Sequence, residues 1–183
     1  MIKWLFIRIL ISAVLVVMAC VVAGAFGMVH NQLSFAAAPT YFFDLKFYQF
    51  RIPSTDHNAW GAALVGWQAS WWMGGLLGLV LVIAGFRISA HKIFAGAFVK
   101  IAFCAVLVAL TIAICTLFLA QRFLDQQDIP EILNSYGSSD PLAFFHAAVM
   151  HEASYYGSVL GLVIGYILIF RPALKRDRKI RGM

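Results

Sequence analysis

Two adjacent titratable residues, His151 and Glu152, stand where a long apolar run of this chain begins, and His30, His57 and His146 lie near the edges of other apolar runs. Imidazole and carboxylate together suit three kinds of chemistry. They can hold zinc, iron or manganese, an imidazole can ligate haem iron, or the pair can pass a proton near neutral pH. The first candidate ligand set is His30, His151 and Glu152, with His146 and His57 as a weaker extension. Spacing supplies no ready-made chelate. His146 and His151 are five residues apart, about 140° around a helix, and not the i, i+4 pair of an HExxH motif. Ligands would have to come from separate helices. Gln32, Ser154, Tyr155 and Arg122 complete a polar cluster at the same level, and His151 shares a helix face with Ser154, Tyr155 and Ser158. A structural role stands beside these readings: an interfacial histidine can simply bond a backbone carbonyl, and Glu152 can pair with Arg122 or Lys46. Cys20, Cys104 and Cys115 lie inside apolar runs without a Cys-x-x-Cys spacing, as small buried hydrophobes do.

The elements that must position these groups follow from composition. The chain has 183 residues, 62% hydrophobic and 12% charged, whereas soluble domains carry about 25% charged residues; mean hydropathy is +0.85. Such a chain is an integral membrane protein whose partner is the lipid bilayer. Four runs, 9–29, 67–86, 101–121 and 150–170, each approach the roughly 20 apolar residues needed to cross a bilayer. Lys3 and Arg8 precede the first run, Arg87 and Lys92 separate the second from the third, and Arg171, Lys175, Arg176, Arg178, Lys179 and Arg181 follow the fourth. The positive-inside rule makes those segments cytoplasmic, so both termini are expected inside a bacterial inner membrane. The net charge of +6 gathers at the ends of the runs rather than over one face, which argues against a nucleic-acid partner. The first run exceeds the apolar part of a signal peptide, about 7 to 15 residues, and is expected to remain as a span. His151 precedes Arg171 by 20 residues, about 30 Å of helix, so it and Glu152 belong at the outer interface.

An internal repeat refines the fold class. "WQASWWMGGLLGLV" at 67–80 aligns with "HEASYYGSVLGLV" at 151–163 once Met73 is skipped, and "AVLV" at 13–16 recurs at 105–108. The expectation is a single all-α membrane domain over residues 1–183, built as two parallel-repeat helical hairpins. Gly74, Gly78, Gly157, Gly161 and Gly165 recur at the spacing that lets helices approach closely, and are expected to bring spans two and four together near the repeat axis.

The outer segment 30–58 is unusually aromatic. Tyr41, Phe42, Phe43, Phe47, Tyr48 and Phe50, interrupted by Asp44 and Lys46, are too apolar for a free loop and predict a segment in the interface or folded back as a lid. Further along, Asp140 and Pro141 read as the cap and first-turn residue of a helix. "VHNQLSFAAAPTYFFDLKFYQFRIP" (29–53), "GWQASWWMGG" and "MHEASYYG" together resemble an uncharacterised family of bacterial four-span inner-membrane proteins. The resemblance implies four spans and a shared outer site, and carries no activity. No nucleophile triad or phosphate loop is present, and the reading leans away from an enzyme. It favours a binding or accessory protein with a His/Glu cluster at its outer face, metal and haem being candidate cofactors, alone, as a homo-oligomer or within a membrane complex. A small transporter or channel subunit is the second reading. A membrane enzyme using His151 and Glu152 is the third.

Overall fold

The structure, a computed structural model, describes residues 2–134 and 136–182. Helices α1 (Ile2–Ala37), α2 (Ala59–Gly85), α3 (His91–Phe123) and α4 (Pro141–Gly165) carry the four apolar runs, and α4 continues through a π-helical turn, Tyr166–Phe170, into α5 (Arg171–Ile180). These are four helices long and apolar enough to cross a membrane, and among the described residues there is no strand. Helices suit that solvent because each backbone N–H finds its acceptor within the same segment. The outward faces, with Val17, Ile83, Leu107, Phe118 and Leu168 exposed, are what a multi-pass chain turns to lipid.

Helix ends are closed by side chains. Asn58 accepts from the amides of Trp60 and Gly61 at 2.8 and 3.3 Å, and Asp140 accepts from the Ala143 amide at 3.0 Å with Pro141 in the first turn, as its sequence predicts. For α3 the acceptor comes from far along the chain. The buried Asp177 carboxylate of α5 accepts from the amides of Ser89 and Ala90 at 3.0 and 2.8 Å and pairs with Arg181 at 3.1 Å. Pro172, lacking an N–H, follows the π-helical turn, whose wider bonding takes the Arg171 amide to the Tyr166 carbonyl and lets the helix run on past the proline.

Helix α1 packs along α2 and α3 along α4, each pair antiparallel. Gly27 and Gly66 cross so closely that a Cβ on either would strike the backbone of the other. Farther along, Gly74 faces Ala19 and Ala23, Gly78 faces Ala19 and Val16, Gly157 faces Ala109, Gly161 faces Ala105, and Gly165 faces Ile101. The glycines therefore close each helix onto its own antiparallel neighbour. This corrects the expectation that they join spans two and four. With their smooth faces used inside each pair, α2 and α4 are not packed along one another, and a cavity of about 250 Å³ lies between the pairs.

The two ends of the bundle are finished differently. At the end that carries the termini, Leu15, Val82, Ile88, Phe94, Phe98, Ile101 and Phe170 form a filled core. Arg8, expected from sequence to be a cytoplasmic flanking charge, is fully buried there. Its guanidinium donates to the Gly85 carbonyl and lies 3.4 Å from the ring centre of Phe94, a cation–π contact that a desolvated site strengthens. At the opposite end, residues 38–53 fold over the bundle as short helical turns, one of them the π-helical turn Phe42–Lys46. Ala38, Tyr41, Phe42, Phe47 and Ile52 form a core with Ala62 and Val65 of α2 and Phe144 and Ala147 of α4. The aromatic segment is a cover.

A candidate ligand cavity under the cover

His30 of α1 and His151 of α4 meet beneath this cover, their ring centres 4.5 Å apart and their planes at 77°. Local bonding fixes much of their chemistry. The Asn31 side-chain amide donates to the Ala62 carbonyl at 3.0 Å, which leaves its oxygen facing His30 Nδ1 at 3.3 Å. Nδ1 is therefore assigned the proton, and Nε2 a lone pair, from the hydrogen-bond network. That Nε2 is buried and finds no partner among the described residues, although His30 is only 3% exposed and buried polar atoms are nearly always satisfied. His151 Nε2 lies 3.1 Å from the hydroxyl of Ser34, which is fully buried one turn beyond His30. Tyr41 of the cover packs its ring 5.0 Å from that of His151.

Both histidines line the cavity together with Asn31, Lys46, Gln49, Ser70, Ser154, Tyr155 and Ser158. The Lys46 ammonium donates to the Gln49 amide oxygen at 2.9 Å and stands 5.2 Å from the Tyr41 ring centre. Burial pulls its pKa below that of an ordinary lysine, because water no longer supports the charged form. Among the described residues the lining contains no carboxylate side chain. Deeper in the bundle the walls turn apolar, with Ala19, Val22, Ala23, Leu77, Leu81, Ala102, Val106 and Leu162. From His30 to Ala19 this slot follows α1 for about 17 Å at the helical rise. The exposed residues Trp72 of α2 and Tyr155 of α4 also border the cavity.

Of the residues that sequence singled out, His30, His151, Ser154, Tyr155 and Ser158 line the cavity together, and Glu152, His146, His57, Gln32 and Arg122 do not. Glu152 is exposed and accepts from the Tyr156 hydroxyl at 3.2 Å, since consecutive helical residues point about 100° apart. His146 is buried with Nε2 3.3 Å from the Leu124 carbonyl. His57 stacks on Phe47 at 4.4 Å with Nε2 3.0 Å from the Ile52 carbonyl. Gln32 donates to the Ala59 carbonyl at 2.8 Å, and Arg122 is exposed beside Phe123.

These placements bear on the metal and haem candidates. Among the described residues no group of three His, Cys, Asp or Glu side chains is arranged to hold a metal, and a zinc site takes at least three protein ligands. Imidazoles already in edge contact leave no plane between them for a porphyrin held by both rings. Sequence reasoning missed Asn31, Ser34 and Gln49, and named Lys46 only as a partner for Glu152 and as an interruption of the aromatic segment. The one available signal was Ser34, four residues after His30 and so on the same helix face. Compared with protein-family models, with curated proteins and with solved structures, the chain matches none.

Proposed function

We propose that this protein is a membrane-embedded binding protein that takes one small molecule into the cavity between its helix pairs. The observation that carries this reading is the cavity of about 250 Å³ between the helix pairs, lined at its covered end by His30, Asn31, Lys46, His151 and Ser154, with Lys46 the one charged lining residue among the described residues. An occupant that bonds to these polar side chains explains why they persist at this depth. In this reading the covered end faces outward from a bacterial inner membrane and both termini are cytoplasmic. The cations Arg87, Lys92, Arg171, Lys175 and Arg178, all at the terminal end, support that orientation. We also read the two helix pairs as parallel repeats. Gly74 and Gly157, matched in sequence, each face the first helix of their own pair, as do Gly78 and Gly161.

The test is native mass spectrometry of the protein carried in lipid nanodiscs. The unaltered chain should retain a bound small molecule, and Ala69→Phe, which places a ring in the cavity wall, should lose it while melting within a few degrees of the parent. Identical masses for the two proteins would sink the reading. A small transporter is the second reading, favoured by a cavity between two helix pairs whose terminal end is filled by Leu15, Phe94, Phe98 and Ile101. A one-sided internal site is the form that half a cycle of alternating access takes.

A further inference from the structure

The route by which an occupant reaches the cavity follows from which of its walls meet, on the premise of the proposed function that the cavity is a binding site. Four helices surround it, and α1 packs against α3 across one side. The opposite side is a cleft, because α2 and α4 are not packed along one another. Among the described lining residues only Gln49, Trp72 and Tyr155 are exposed, and they stand on the edge of the cover, on α2 and on α4. On the inner wall Ala19, Ala105 and Ala109 are buried. Leu15, Phe98 and Ile101 fill the terminal end, and at the other end the contact of Ser34 with His151 lies under the buried Tyr41 and Phe42. The mouth is lateral.

Depth decides what stands at that mouth. His151 precedes Arg171 by 20 residues, about one hydrocarbon thickness of helix, so the cleft starts at the covered-end interface and descends from there. Tyr155 is one turn below His151, and Trp72 is two residues before Gly74, which faces Ala19 near the cavity floor. The α1 wall from His30 to Ala19 and the α4 wall from His151 to Leu162 each advance eleven residues. That is about 17 Å of helix, close to the roughly 15 Å of hydrocarbon in one leaflet. At these depths the neighbours of the cleft are lipid chains.

The polarity of the lining falls in the same direction as it does through a leaflet. His30, Asn31, Lys46 and Ser154 lie near the cover, and Ala23, Leu77, Val106 and Leu162 lie deeper. The polar end calls for no charged partner. Lys46 donates to the Gln49 amide oxygen at 2.9 Å, His151 Nε2 lies 3.1 Å from the Ser34 hydroxyl, and Ser154 and Ser158 donate to carbonyls of their own helix at 2.7 and 2.9 Å. A neutral ester region suits that level, and hydrocarbon suits the slot beneath it. A water-soluble solute would exchange its hydration for alanine and leucine walls. A helix of a second copy, about 10 Å across with its side chains, is too wide for a cavity of about 250 Å³.

We infer that the cavity holds one acyl chain of a membrane lipid from the leaflet at the covered end, which enters sideways between α2 and α4 and points its methyl end toward Ala19. Lipid tails are as apolar as the slot, so the chain is held by its fit to the walls rather than by transfer out of the bilayer.

The protein is placed in nanodiscs of phosphatidylcholine doped with the same lipid carrying a diazirine on one acyl chain, irradiated, and its adducts are mapped by peptide mass spectrometry. Ala23, Phe26 and Val106, which line the cavity, should carry adducts together with the exposed Val17 and Leu107. Ala69→Phe should lose the inner adducts and keep the outer ones. Adducts confined to the outer residues overturn lateral lipid entry. If the unaltered chain then still retains a molecule other than lipid that Ala69→Phe loses, the cavity reading stands without it; if it retains nothing, both fall. Inner adducts undiminished in Ala69→Phe also overturn the inference, because those residues are then reached from elsewhere. The pattern on the unaltered chain decides the matter even where Ala69→Phe fails to fold.

Discussion

Arg51 is the one non-glycine residue among those described whose backbone is left-handed, with φ of 53°. It sits where the cover turns back toward α2, with the Ile52 amide bonded to the Phe47 carbonyl at 2.9 Å and its own amide to the Tyr48 carbonyl at 3.1 Å. This is the position a Schellman turn normally gives to glycine, and a Cβ there costs about 1 kcal/mol. Arg51→Gly should therefore stabilise the protein by about 0.5 to 1 kcal/mol, seen as a higher melting temperature in detergent; a lower one would show that the exposed arginine side chain contributes more than its backbone loses. Asp177→Asn tests the opposite case. An asparagine oxygen can replace one carboxylate acceptor at Ser89 or Ala90 but not both, and the ion pair to Arg181 is lost, so destabilisation of about 1 to 3 kcal/mol is expected. An unchanged melting curve would refute the capping role. At this scale the sequence was only half legible. His151 was placed at the outer interface by counting from Arg171 and His30 at the same level because it stands at the end of the first apolar run, yet the adjacency of His151 and Glu152 suggested a partnership that helical rotation forbids. Asn31 and Lys46 became visible only once α2 and the cover stood over them.

Helix pairing is carried by small residues, and the cost of adding one methyl group should follow how near the opposing backbone lies. Gly66→Ala meets the Gly27 carbonyl and should be the most destabilising of the series. In Gly161→Ala the new Cβ would lie 2.6 Å from the Ala105 Cα, whereas in Gly78→Ala it would lie 3.2 Å from the Ala19 Cβ and needs only a small adjustment. Gly96 faces nothing within 4 Å, so Gly96→Ala should stabilise α3 by up to about 1 kcal/mol through helix propensity alone. Melting temperatures should rise in the order 66, 161, 78, 96; a reversal between 66 and 78 would mean that the pairs are held by something other than this approach. The four long helices were legible in the sequence because a bilayer sets a minimum apolar length that few other folds require. Which helices the glycines join was not legible. A row of glycines at every fourth position states that a helix has a smooth face, and is silent on the partner that uses it.

For the molecule as a whole, the proposed orientation predicts which ends meet which solution. With Cys20, Cys104 and Cys115 replaced by alanine, single cysteines at Ser54 or Ser139 should react with a membrane-impermeant maleimide in intact cells, and those at Arg87 or Gly182 only after permeabilisation. Labelling of Arg87→Cys in intact cells would invert the arrangement. The cavity itself was beyond sequence reasoning, because it exists only as the space left between two closely zipped pairs that meet at one end through Leu15, Phe98 and Ile101 and under the cover through His30, Ser34 and His151. The Asp177 bond to the start of α3 carries a further consequence, for how the chain is made. Synthesis runs from the N-terminus, so Ser89 and Ala90 leave the ribosome some 88 residues before their acceptor does. Throughout the insertion of α3 and α4 those amides have only water or lipid headgroups to bond, and the terminal end stays open while α1, with Arg8, is already present. Helix α5, translated after all four long helices, is thus the latch, and this end of the bundle closes only once α5 has followed α4 out of the ribosome.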